Sequence, residues 1–401
     1  MFGGFPEFLV ALFNLSSLTV GMIIEYILLL MFYIKKHSLT YRLKVNFVLF
    51  LFVVFISIVL SFFANINTIN SYGKSIGSIF LLILMLYVAY LYGLVIIKSD
   101  FLQTIKSFRC ALWLLFLIGI IGMIFGVYLQ IYNKHSGPIP FLESSHYALY
   151  LGLFSMLNIT LFQSLNYKFL VVLCTIMLAV LLPSLTLLIY ALLMLAVIVK
   201  LNKSFFILVI VAGIMSSFSL TALIDMDYFL SRVDFLGDSN NNLSLLVYKQ
   251  GLENAYYSLT ETYFGIGFQN LSPKQVSESG EIIMQILNND VGLNTVGGGF
   301  VAAKLVTELG WAGLLMIIFY LYLVVKSFFL LRKSSVENAH FQTIPNVIAA
   351  SLIYASFVEF FVRGNGYFTP GIFIFLIGLS IYLYNYRSSS FPMRMPVVKA
   401  L

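Results

Sequence analysis

Apolar runs of about eighteen residues or more recur along most of the chain, and they leave few ways to fold it. A run of that length is what an α-helix needs to cross the ~30 Å hydrocarbon layer of a bilayer. The runs place spans at residues 9–34, 43–63, 75–97, 110–131, 147–164, 168–182, 184–200, 204–223, 305–330, 344–362 and 369–386. The stretch 168–200 is too long for one ordinary span and divides at Pro183-Ser184, because proline cannot continue the backbone ladder. Composition agrees. With 61% hydrophobic and 10% charged residues, and a mean hydropathy of +0.98, a soluble domain could not cover itself with polar surface. The expected fold class is all-α, a polytopic integral membrane protein of about eleven transmembrane helices.

One long segment, Asp225 to Lys304, breaks this pattern and holds nine of the 16 acidic residues. It is expected to fold in water over one membrane face, as a helical cap above a site between helices. The chain then divides into transmembrane helices with short loops (1–224), the cap (225–304), and further spans with a tail (305–401). Of the 23 basic residues, fifteen collect on one side and seven on the other, with Lys326 inside a span. The rich side is expected to be cytoplasmic, which puts the carboxyl terminus inside and the cap outside. The amino terminus is outside unless residues 1–34 hide a re-entrant turn. The net charge of +7 is therefore a topology signal and does not imply nucleic acid. Cys110 and Cys174 give no disulfide framework, and the opening MFGGFPEF has no basic region or cleavage site of a signal peptide.

Polar residues gather in four places on the expected outer face. Glu143-Ser-Ser-His146 follows Gly137-Pro-Ile-Pro140 at the mouth of the fifth span, where a serine N-cap with an interfacial histidine is an equal reading. From Asn242 to Gly267, Leu245, Leu252, Tyr256 and Leu259 recur with helical spacing, with Tyr248, Gln250 and Glu253 around the turn; this predicts an amphipathic surface helix. Gly265-Ile-Gly267 reads more readily as a tight turn than as a phosphate loop, and the D-x-D spacing of Asp225 and Asp227 more readily as the hydrated end of a span than as a holder of a metal diphosphate. Lys304 and Glu308 are four apart on one helix face at the start of the ninth span, and Glu359 and Arg363 repeat that spacing. An arginine there can simply snorkel, but an ionisable group costs about 2.5–3.5 kcal/mol at mid-bilayer by insertion scales, which makes two such pairs unusual. Glu25, inside the first span, shows no partner in the sequence.

Some chemistries are set aside. His37 and His340 fall on the expected cytoplasmic side, leaving His135 and His146 outside, too few for a histidine-rich zinc site. No Walker sequence is present. No metal or cofactor is expected. Adjacency of Ser145 and His146 is not a triad, because triads are assembled in space.

Taken together, these blocks resemble the Wzy-type O-antigen polymerases. Glu143-Ser-Ser-His146-Tyr-Ala-Leu is similar to the E-P-S-H-[FY]-A-L signature of that family, with Ser144 in place of proline. Asn242-Leu-Ser-Leu-Leu-Val-Tyr248-Lys-Gln250-Gly-Leu-Glu253-Asn-Ala resembles its N-L-S-x-L-V-Y-x-Q-G-W-E-x-A stretch, and Phe264-Gly-Ile-Gly-Phe268 its G-x-G-F. Phe300-Val-Ala-Ala-Lys304-Leu-Val-Thr-Glu308-Leu-Gly310 resembles F-x-x-K-L-x-x-E-x-G, and Glu359-Phe-Phe-Val-Arg363-Gly-Asn-Gly-Tyr367-Phe resembles E-x-F-x-R-G-x-G-Y-F. The blocks fall in the family's order from the fifth span to the last.

The resemblance implies a GT-C-like glycosyltransferase of the bacterial inner membrane with its site facing the periplasm. It would move a growing glycan from undecaprenyl pyrophosphate to a new lipid-linked repeat unit. Arg232, Lys304 and Arg363 are then candidates for the pyrophosphate, and Glu143 or His146 for the general base. Tyr248, Gln250, Glu253 and Tyr367 are candidates for the sugars, with Tyr256 and Tyr257 as further stacking rings; Glu308 and Glu359 would support the site. The implied partners are the undecaprenyl-pyrophosphate-linked oligosaccharide and membrane lipids, with a chain-length regulator and a flippase as further candidates. An O-antigen ligase and a flippase or secondary transporter of the lipid-linked sugar are the alternatives, the latter weakened by the absence of internal repeats.

Overall fold

The computed structural model describes residues 5–13, 15, 17–36, 44–65, 72–124, 138–141, 143–162, 164–199, 243–271, 277–286, 299–336, 344–363 and 366–385. The expected span 204–223, the Asp225/Asp227 pair and Arg232 lie outside these residues. In chain order the helices are α1 (Phe5–Phe13), α2 (Leu18–Lys36), α3 (Val45–Ala64), α4 (Tyr72–Lys98), α5 (Phe101–Met123), α6 (Ser144–Leu161), α7 (Leu165–Leu181) and α8 (Leu185–Ile198). They continue with α9 (Leu243–Tyr257), α10 (Glu278–Ile286), α11 (Val301–Leu309), α12 (Trp311–Val336), α13 (Ile344–Ala355), α14 (Phe357–Phe361) and α15 (Pro370–Asn385). Among the described residues every regular element is helical, and five stretches are long and apolar enough to cross a membrane: 45–64, 72–98, 101–123, 311–335 and 344–361. Their outward faces are apolar. Phe52, Phe63 and Phe80 are 58, 64 and 70% exposed, a surface that suits lipid and not water.

The bundle is built around α6, in which every side chain from His146 to Thr160 is buried. Helices α5, α7, α8 and α13 pack around it. A Cβ at Gly152 would overlap the Tyr190 ring, so the glycine is what lets α8 approach α6 so closely. A hydroxyl pair, Thr160 with Ser351 at 2.7 Å, joins α6 to α13. The division at Pro183 holds: α7 ends at Leu181, and Ser184 caps α8 by accepting a hydrogen bond from the Leu187 amide.

Four expected spans are redrawn. The run 9–34 is broken into α1 and α2, and α1 packs back against α2. A Cβ at Gly21 would lie 2.6 Å from the Pro6 carbonyl oxygen, so glycine permits that contact. The fourth span begins at Phe101, not at residue 110, because Asp100 caps α5 through the Leu102 amide and the helix continues past Lys106 and Arg109. The ninth span begins at Trp311: Gly310, at φ +59°, separates it from α11, which carries Lys304 and Glu308. The tenth is interrupted at Ser356, whose hydroxyl bonds back to the Ile353 carbonyl at 2.7 Å and competes with the ladder.

The cap shows α9, a π-helical turn (Ser258–Thr262) and α10, and the expected boundary at Lys304 falls inside α11. Of the apolar positions expected to share one face, Leu245 is buried in helix α9 and Leu259, in the turn after it, packs against the core, but the other two do not follow them. Leu245, Leu246, Gln250 and Asn254 are buried, whereas Leu252 and Tyr256 point outward, 50 and 71% exposed. Its polar side grips the neighbouring backbone: Glu253 accepts from the Ser279 amide (3.1 Å) and hydroxyl (2.6 Å) at the start of α10.

Candidate functional site

The first half of the site is assembled at the start of α6. Glu143 occupies the N-cap position with extended backbone, but its carboxylate does not cap the helix. It turns to Arg363, accepting from Nη2 at 2.6 Å, and also accepts from the Ser145 hydroxyl at 3.0 Å. Both partners of the ion pair keep solvent access. Burial alone would push the Glu143 carboxyl up, but the Arg363 guanidinium, His146 and Ser145 outweigh it and hold the group below its ordinary value.

Arg363 reaches Glu143 because α14 ends at Phe361, and the backbone leaves it with both the Val362 and Arg363 amides bonded to the Val358 carbonyl. This overturns the expected pairing of Arg363 with Glu359 across one helical turn. Glu359 points inward, 2% exposed, and accepts from the Thr369 hydroxyl at 2.7 Å. Gly371 leaves room for it, since a Cβ there would meet the carboxylate at 2.5 Å. The Arg363 Nε is buried and without a hydrogen-bond partner among the described residues.

His146 lies one turn into α6 with its ring buried. Its Nδ1 is 3.1 Å from Oε1 of Glu7, a buried carboxylate delivered by α1. Glu143, Arg363 and Glu359 all lie within electrostatic reach of the imidazole. Tyr150, one turn below, lies within reach of Glu7, Glu25 and Glu359.

The second half sits on α11. Lys304 Nζ lies 3.6 Å from Glu308 Oε1, the pair expected from the spacing, and both residues are buried. Glu308 Oε2 also accepts from the Gln269 amide at 3.0 Å. The ammonium stands 5.4 Å from the centroid of Tyr367, which stacks on Phe268. Gly366 passes nearby, its virtual Cβ 3.8 Å from Nζ. Arg363 in the first half and Tyr367 in the second are only four residues apart in the chain. Gly265 and Gly267 form the tight turn that was the readier reading, with the Ile266 and Gly267 amides bonded to the carbonyls of Thr307 and Glu308 at the end of α11. Beneath Tyr367 and Phe268 opens an almost wholly apolar cavity of about 140 Å³ between α3, α4, α11, α12 and α15. Phe319, at 44% exposure, stands on its lining.

Comparison of the chain with family models, with curated proteins and with solved structures finds no match.

Of the residues singled out from the sequence, Glu143, His146 and Arg363 form one cluster and Lys304, Glu308 and Tyr367 another. Glu359 lies behind the first. Tyr248 stacks on Phe300 at 4.3 Å, and Gln250 and Glu253 hold the cap together, so these three are engaged in packing. Glu7 and Thr369 were missed. Glu7 offered only one signal, a lone carboxylate just ahead of an apolar run, and Thr369 none.

Proposed function

We propose that the chain is a lipid-linked oligosaccharide polymerase of the bacterial inner membrane, with about eleven spans, a GT-C-like arrangement and its site facing the periplasm. The observation that carries this reading is the convergence of Glu143, His146 and Arg363, together with Lys304 beside Gly366 and Tyr367, the latter on the lining of an apolar cavity. The residues that resemble the polymerase blocks are therefore neighbours in space.

The chemistry follows from these groups. The hydroxyl of the acceptor sugar attacks the anomeric carbon of the donor glycan, and its proton passes to His146. The bond from that carbon to the pyrophosphate oxygen breaks, and undecaprenyl pyrophosphate leaves with the bonding electron pair. Arg363 and Lys304 stabilise the charge gathered on the leaving group. Glu143 is the poorer base, because the arginine beside it lowers its basicity. Its role is to hold Arg363 until a pyrophosphate displaces it. The apolar cavity takes the start of the polyprenyl chain, and the exposed rings of Tyr256 and Tyr257 offer stacking faces for sugars.

Arg363 supplies the test. If it merely snorkels, lysine reaches the interface equally well and should serve. If it grips a pyrophosphate, lysine lacks the planar two-pronged contact. Loss of one donor aimed at developing charge costs about 10²–10³ in rate. In cells that depend on this chain for O-antigen length, Arg363→Ala and Arg363→Lys are both expected to insert normally and leave single-repeat lipopolysaccharide. A full ladder from Arg363→Lys would return the residue to the role of membrane anchor.

A further inference from the structure

We infer that Glu7, on the folded-back helix α1, is the positioning residue for His146. The inference rests on the reading of His146 as general base. A neutral imidazole carries one proton, and the ring nitrogen that holds it is set by the hydrogen bond that nitrogen makes. Nδ1 of His146 faces the Glu7 carboxylate at 3.1 Å, and both side chains are buried. The negative charge 3.1 Å away favours the proton on Nδ1, which leaves Nε2 as the basic atom. When His146 takes the acceptor's proton at Nε2, the imidazolium is stabilised by the adjacent carboxylate, which fixes the ring and need not itself be protonated.

The fold delivers Glu7 by a specific route. The chain breaks between α1 and α2, and α1 returns along α2 with Pro6 seated against Gly21. Phe8, Leu12 and Phe13 on α1 are exposed, so its apolar surface faces out while its carboxylate faces in. Apolar side chains turned to lipid and an ionisable group turned inward to a partner is the arrangement an intramembrane carboxylate takes when it has a functional partner.

Among the described residues, the charged groups within electrostatic reach of His146 are Glu7 from α1, Glu143 from its own N-cap, Glu359 from α14 and Arg363 just after it. Removing the Glu7 charge alone should leave the other three in place. Two readouts on the purified full chain separate this role from a structural one. In the first, nitrogen spectra of the histidine-labelled protein assign His146 by the signal lost in His146→Gln. The His146 titration is expected to move to lower pH in Glu7→Gln, and Glu7→Leu is expected to redistribute the tautomer. In the second, polymerisation by Glu7→Gln should fall about 10²-fold in kcat with KM nearly unchanged, and Glu7→Asp should recover part of it. Melting temperature checks that the variants fold. An unmoved His146 titration in a folded Glu7→Gln protein overturns the inference, whatever the activity. A shifted titration with polymerisation unchanged also overturns it. A wild type that fails to polymerise while its His146 titration depends on Glu7 contradicts the functional reading instead.

Discussion

His146→Gln is expected to lower the rate of polymerisation by about 10²–10⁴, the usual contribution of a positioned base, while the lipid-linked substrate still binds. Glutamine keeps a hydrogen-bonding end of similar reach but cannot accept the proton. Glu143→Gln should cost less, because it removes the holder of Arg363 and not the base. The contrast is informative because sequence alone left either residue as the base. What separates them is the 2.6 Å contact that ties Glu143 to Arg363 and the 3.1 Å approach of Glu7 to His146. Initial rates of the two purified variants decide the order. A larger loss from Glu143→Gln would exchange their roles.

The second large effect is expected at Lys304, and it falls on stability. Lys304→Met leaves the Glu308 carboxylate buried beside a missing cation, and breaking a buried pair from one side costs about 3–5 kcal/mol. Glu308 can escape part of that cost by taking up a proton, so the defect should shrink at low pH. Lys304→Met combined with Glu308→Gln removes both charges and keeps an acceptor for the Gln269 amide. The double variant is expected to regain most of the lost melting temperature in detergent and to remain inactive. Recovery of activity along with stability would make Lys304 a structural residue only.

The uninterrupted apolar runs were the legible part of the fold. Helices α3, α4 and α15 begin and end within a few residues of expectation, and α3 and α15 run on unbroken although Ser57 and Ser380 bond back to the Val53 and Leu376 carbonyls. The breaks were harder to read. Gly310 and Ser356 each divide an expected span, and neither glycine nor serine in an apolar run announces whether it will bend, cap or pass unnoticed. Only part of the α9 face was legible: Leu245 and Leu259 pack inward as their spacing suggests, but Gln250 and Asn254 are buried too, Gln250 beside Gly280 of α10, and Leu252 and Tyr256 are left outside.

At the site, local spacing succeeded for Lys304 and Glu308, which stay on one helix. It failed for Glu359 and Arg363, because α14 ends between them and Arg363 leaves the helical register. Glu143 meets Arg363 across 220 residues, and Glu7 meets His146 only because α1 folds back. Such contacts are made by topology, and no local pattern contains them.

The purified chain in liposomes, supplied with an undecaprenyl-pyrophosphate-linked repeat unit and resolved on a gel, decides whether it polymerises. Assignment as a polymerase requires a ladder of products, each one repeat longer than the last, that disappears with Arg363→Lys. A reconstituted wild type that carries the lipid-linked sugar across the bilayer unchanged, or transfers it only once to a lipid A-core acceptor, would contradict it.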